Sequence, residues 1–147
     1  FGIFTKAELE SREEVLYETY AKTINIEALT MIDMASKQII PAVVRYTKSL
    51  ADTVIAVKEA GADASVQTSI LQEVSEKLAH MKEALAKLEK AEAKAGTISS
   101  ARERAFYYKD EVKTAMEELR APVDAAEMLV DKEVWPMPTY GDLIFEV

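Results

Sequence analysis

The stretch TINIEALTMIDMASKQIIPAVVRYTKSLAD, residues 23–52, decides the fold. From here to residue 57, Leu29, Ile32, Ile39, Val43, Tyr46, Leu50, Val54 and Val57 recur at spacings of three, four or seven, which places them on one helix face. A strand would need alternation of apolar and polar residues, and there is none. Pro41 falls inside the pattern, where it removes a helix hydrogen bond and crowds the preceding turn at ~3 kcal/mol unless packing compensates. A kink is expected there rather than an end.

Working outward, the same periodicity returns twice. Val66, Ile70, Val74, Leu78, Met81, Leu85 and Leu88 form a stripe backed by Glu, Lys and Gln, and Ala105, Tyr108, Val112, Met116 and Leu119 form another. Gly61 and Gly96 each follow a Lys-containing last turn and read as helix stops. Thr5 with Glu8 and Ser100 with Glu103 fit capping boxes, while Asp63 or Ser65 can cap the helix after Gly61. These signals divide the chain into elements of about 5–22, 25–60, 65–95 and 100–132, with Pro122 either bending the last or opening a new helix. The first element has a weaker stripe, Leu9, Val15, Leu16 and Tyr20, and either docks as a shorter helix or runs straight into the second.

The three longer elements would each span roughly 45–55 Å at ~1.5 Å per residue. Matched lengths and short loops favour antiparallel neighbours. The expected fold is all-α: an elongated antiparallel bundle of three long helices plus a shorter N-terminal helix, with an extended C-terminal tail. As a single domain it divides into a linker or N-terminal helix (1–23), a bundle (24–133) and the tail (134–147). Residues 87–104, poor in large apolar side chains, read as a solvated tip. In the tail, Pro136 and Pro138 break any helix, and Leu143, Ile144 and Phe145 are too apolar to stay in water.

Composition narrows the function. The 147 residues suit one domain, and 49% hydrophobic content suffices for a core. A net charge of −8, from 26 acidic against 18 basic residues, repels phosphate backbones and anionic lipid, so neither nucleic acid nor a membrane is an expected partner. No apolar run approaches the ~20 residues that span a bilayer, and no signal-peptide pattern opens the chain. Zero Cys excludes disulfides and thiolate chemistry and is compatible with a reducing cytoplasm.

Candidate chemistry is sparse. His80 is the only His, and Glu76 one turn before it can pair with it or share a metal; a surface or interhelical His is the favoured reading. A di-iron bundle would need Glu-x-x-His pairs on two helices, which rules against a stand-alone metalloenzyme. Glu13-Glu14, Asp110-Glu111 and Glu117-Glu118 point about 100° apart on a helix and form solvated faces rather than a carboxylate pair. There is no phosphate loop, nucleophile elbow or zinc spacing, so no catalytic, cofactor-binding or metal residue is assigned.

The candidate residues are instead structural or interfacial. Met31 and Met34 beside Ile32 either fill core or grip a partner helix, with core favoured. Phe106, Tyr107 and Tyr108 spread over roughly 200° of helix and cannot all face one core, so at least one is exposed or covered by another domain or the N-terminal helix. Trp135, beside Pro136, can bury roughly 150–250 Å² and is expected to clasp the tail against the ends of the long helices. In the alternative reading Trp135, Tyr140, Leu143 and Phe145 dock on another domain or subunit, and both readings can hold together.

Residues 23–52, GADASVQ (61–67) and LRAPVDAAEMLVDKEVWPMPTYGDLIFEV (119–147), the last with its Trp-Pro-x-Pro-x-Tyr-Gly-Asp run, closely resemble the C-terminal helical part of type III glutamine synthetase. The resemblance implies a cytoplasmic parent enzyme that makes glutamine from glutamate, ammonia and ATP with Mg or Mn, built as stacked hexameric rings. Its active site lies on a β-rich catalytic domain that nothing in this chain matches. The opening Phe-Gly-Ile-Phe, without an initiator Met, fits a piece of something longer. The expected role is therefore non-catalytic packing or assembly, with the catalytic domain of the same chain and neighbouring subunits as partners. The alternative is a binding module for a regulatory protein or effector.

Overall fold

In the computed structural model, which describes residues 5–137, every regular element is helical. The helices are α1 (Lys6–Met34), α2 (Ile40–Glu59), α3 (Ser65–Ala95), α4 (Ala101–Tyr107) and α5 (Lys113–Glu127). π-helical turns at Ala35–Ile39 and Tyr108–Val112 join α1 to α2 and α4 to α5.

The expected shorter N-terminal helix is not separate. No breaker stands between Lys22 and Asn25, so residues 6–59 run as one helix, about 80 Å long at ~1.5 Å per residue. At its start Thr5 Oγ1 accepts from the Glu8 N–H at 3.1 Å and Glu8 Oε2 accepts from the Thr5 N–H at 3.2 Å, a complete capping box. Pro41 does not end the helix. The π turn directly before it, closed by the Ile40 N–H to the Ala35 carbonyl, reroutes the ladder where proline supplies no donor.

Gly61 stops the long helix as expected. At φ +82° it allows the Gly61 N–H to reach the Lys58 carbonyl (3.0 Å) and the Ala62 N–H the Val57 carbonyl (3.1 Å), the pair of bonds of a Schellman motif. Asp63 then accepts from the Ser65 N–H at 3.0 Å, and α3 returns antiparallel along the long helix. Gly96 departs from the expected left-handed stop. It keeps right-handed φ, and the Thr97 hydroxyl satisfies the Lys94 carbonyl instead (2.7 Å). The fourth element ends at Glu127, not near residue 132, and Pro122 lies inside it without opening a new helix.

Three helices pack side by side in a waist whose core joins Ile24, Leu85, Leu88, Val112, Met116 and Leu119. Beyond it a second cluster gathers Ile39, Val43, Val74, Met81, Ala126 and Trp135. On the long helix the waist is lined by Ala21, Ala28 and Ala35, seven residues apart and all buried, and the buried Ala42 continues the repeat beyond it. Small side chains at that repeat let helices approach closely.

Several residues assigned to faces are exposed: Leu9, Val15 and Leu16 near the start of the long helix, and Leu29 and Val66. Conversely Ala95, read as part of a solvated tip, is fully buried in the waist core, and Leu88, which falls in both the tip and the apolar stripe, is buried as the stripe requires. Arg104 ties the tip turn down by donating from Nε to the Ile98 carbonyl at 2.8 Å.

Candidate functional site

The three aromatics at 106–108 part ways, as their angular spread requires. Tyr108 is buried in the waist, Tyr107 is half-buried and Phe106 is 42% exposed. The N-terminal helix covers part of Phe106, whose ring lies 6.0 Å from that of Tyr17, and Arg102 sits 5.6 Å from the ring centroid. Lys94 approaches Tyr107 in the same manner, at 5.6 Å. Between these rings and α1 lies a shallow apolar hollow of about 250 Å³ lined by Leu16, Tyr17, Tyr20, Ala105, Phe106 and Lys109.

Tyr108 occupies the first position of its π turn, where its hydroxyl reaches Asn25 Oδ1 on α1 (3.2 Å) and Glu92 Oε1 on α3 (3.3 Å). One hydroxyl thus ties all three helices of the waist. Burial first, then the adjoining Glu92 charge, pushes Tyr108 up to about 12. Burial likewise raises Glu92 above the usual carboxylate range, only partly countered by the Tyr108 hydrogen bond. Its Oε2 is buried without a hydrogen-bond partner, which adds to the cost of holding the charge there.

Trp135 is buried, but against the middle of the long helix rather than helix ends. The tail does not begin extended: the Val134 and Trp135 N–H groups both bond the Asp131 carbonyl, at 2.9 and 3.1 Å, and Asp131 Oδ1 accepts from Glu133 N–H at 2.9 Å. This turn folds Trp135 back onto Ile39 and Val43 and leaves Pro136 exposed. Tyr140, Leu143 and Phe145 lie outside the described residues.

Beside Trp135 opens a groove of about 600 Å³ between the long helix and α5. Met31 and Met34, half-buried rather than core, line it with Met116, Leu119, Val123, Trp135 and Met137, and Glu27, Arg120, Asp124 and Glu127 mark its rim. Sequence reading missed Met116 and Met137 as parts of one surface, and missed Asn25 and Glu92 altogether. A four-methionine surface assembled from three separate segments leaves no local spacing to find.

His80 is exposed beside Lys77, Glu118 and Pro122. Among the described residues no three His, Cys, Asp or Glu side chains gather as metal ligands would. No helix among them is long and apolar enough to cross a membrane. Among the described residues the geometry offers apolar surfaces and a structural polar node.

Comparisons with known proteins agree with that geometry. Residues 1–58 match the family model described as glutamine synthetase C-terminal domain. The chain is similar to a glutamine synthetase of Butyrivibrio fibrisolvens, 37% identical over 99% of this chain and 21% of the relative. It is also similar to one of Bacteroides fragilis, 29% identical over 97% of this chain and 20% of the relative. To the type-3 glutamine synthetase of Dictyostelium discoideum it is 31% identical over 98% of this chain and 20% of that protein. The chain thus spans about a fifth of the length of the curated relatives it matches. With the fold and these matches in hand, the chain is similar over nearly its whole length to about a fifth of these glutamine synthetases, the type-3 enzyme among them, and its residues 1–58 match the glutamine synthetase C-terminal domain.

Proposed function

We propose that this helical unit is a non-catalytic packing element of a type III glutamine synthetase, holding the enzyme's catalytic part and neighbouring subunits in an oligomer. The observation that supports this most is the projecting arm of the long helix. Leu9, Val15 and Leu16 are exposed on it, and Leu16 (69% exposed) lines the apolar hollow beside Phe106; exposed apolar side chains gathered in one region are of the sort interaction sites present. The occupant of this face is the catalytic part of the same polypeptide, within the four fifths of the relatives' length that this chain does not match. In that reading glutamate, ammonia, ATP and Mg or Mn are handled entirely by the catalytic part in a cytoplasmic enzyme of stacked hexameric rings, and this unit contributes no ligand to them.

Deleting residues 5–147 from the whole enzyme, so that the arm and the bundle both go, and measuring particle mass tests the reading. The expected result is loss of the large assembly with a soluble remnant. An intact assembly of shortened subunits would refute it. A rival reading, in which the unit receives a regulatory protein, draws on the methionine-lined groove, because soft, flexible side chains accommodate varied apolar partners.

A further inference from the structure

The groove has an occupant closer at hand. Trp135 and Met137 both line it, and Met137 is the last described residue, so the chain leaves the described structure from inside the groove with residues 138–147 still to run. We propose that the groove seats this closing segment, with Leu143, Ile144 and Phe145 entering it and strapping α5 to the long helix.

Size and reach agree. A volume of about 600 Å³ lies within the ~300–1,000 Å³ of clefts that hold ligands, room for a few large side chains. The wall supplied by the long helix, from Ile26 to Ile39, is about 20 Å long at ~1.5 Å per residue. Extended at ~3.3 Å per residue, the chain from Met137 to Phe145 covers about 26 Å, enough to run the groove's length.

Chemistry agrees as well. Met31, Met34 and Met116 adapt their shape to whatever apolar group enters. The tether replaces a bimolecular encounter with a local concentration in the millimolar range. Rim charge is not the attraction, since Glu27, Asp124 and Glu127 outnumber Arg120 and the segment itself bears Asp142 and Glu146. Seating is therefore apolar, and added salt does not release it, as it would a basic partner.

The six methionines make the test direct. Four line the groove, whereas Met81 is fully buried away from it and Met128 is 86% exposed. Methyl-labelled methionine spectra are compared for the 147-residue chain, a chain ending at Met137, and a full-length Leu143→Asp, Phe145→Asp variant. The expected result is that Met31, Met34 and Met116 shift in both altered chains while Met81 and Met128 stay in place. Iodide quenching of Trp135, the only tryptophan, should rise at least twofold. If truncation unfolds the protein, seen as displacement of Met81, the double Asp variant carries the comparison. Unmoved Met31, Met34 and Met116 in that variant would overturn the proposal. So would a groove signal that disappears on dilution, which assigns the seat to the tail of a second copy.

Discussion

Between Ala21 and Ala42 the long helix buries an alanine at every seventh position, whereas within about three turns of its start the same helix holds out Leu9, Val15 and Leu16, far more apolar residues, into solvent. Burial along one continuous helix is thus set by where neighbours can approach, not by side-chain hydrophobicity alone. In the waist, α3 and α4–α5 come close because the alanines let them, and Leu85, Leu88, Val112 and Leu119 from those helices fill the space between. The arm has large side chains that stay exposed although the start of α4 lies alongside, with Leu16 beside Phe106.

The comparison can be broken at several points. Leu88→Ala leaves a cavity in the waist and should cost about 4 kcal/mol, within the range for fully buried leucines, read from urea melts followed by circular dichroism. Ala28→Leu should cost about 2–3 kcal/mol by overpacking the close helix contact, although it adds apolar area. If Ala28→Leu proved neutral, close approach would not be what the alanine repeat provides.

Smaller effects sharpen the polar side of the waist. Tyr108→Phe should cost about 1 kcal/mol, because Asn25 and Glu92 lose their shared hydroxyl. Since Tyr108 titrates higher folded than unfolded, its contribution is complete below pH 10 and is lost as the pH rises toward about 12. Alkaline melts of Tyr108→Phe should therefore lose stability less steeply than those of the unaltered chain over that window. Glu92, also raised, favours the fold when protonated, so the carboxylate is a liability above its ordinary range. Glu92→Gln should melt higher than the unaltered chain near pH 7, and that advantage should vanish below about pH 4.

These residues also show how far the sequence could be read. The stripe from Val74 to Leu88 and that from Ala105 to Leu119 were legible because large apolar groups repeat at helical spacing on elements with a partner along their length. Leu29 and Val66 obey the same spacing yet remain exposed, because periodicity reports a face and not whether it is covered. The alanine repeat escaped because alanine weighs little in an apolar stripe, though its seven-residue period was present to be counted. Tyr108 was identified, but its partner Asn25 lies 83 residues away in the chain, beyond any local pattern. Trp135 was legible as an anchor because an aromatic beside Pro136 has no helix of its own. Its position midway along the long helix depends on the turn at Asp131, which no proline or glycine marks.

The most direct test of a packing role is Leu9→Ser, Val15→Ser and Leu16→Ser made together. In the 147-residue chain these exposed positions should leave Tm nearly unchanged, since surface changes away from special features stay within ~0.5 kcal/mol. In the whole enzyme, sedimentation should show the large assembly replaced by smaller species. A full-sized assembly with all three serines in place would contradict the assignment of the arm as the surface that holds the enzyme together.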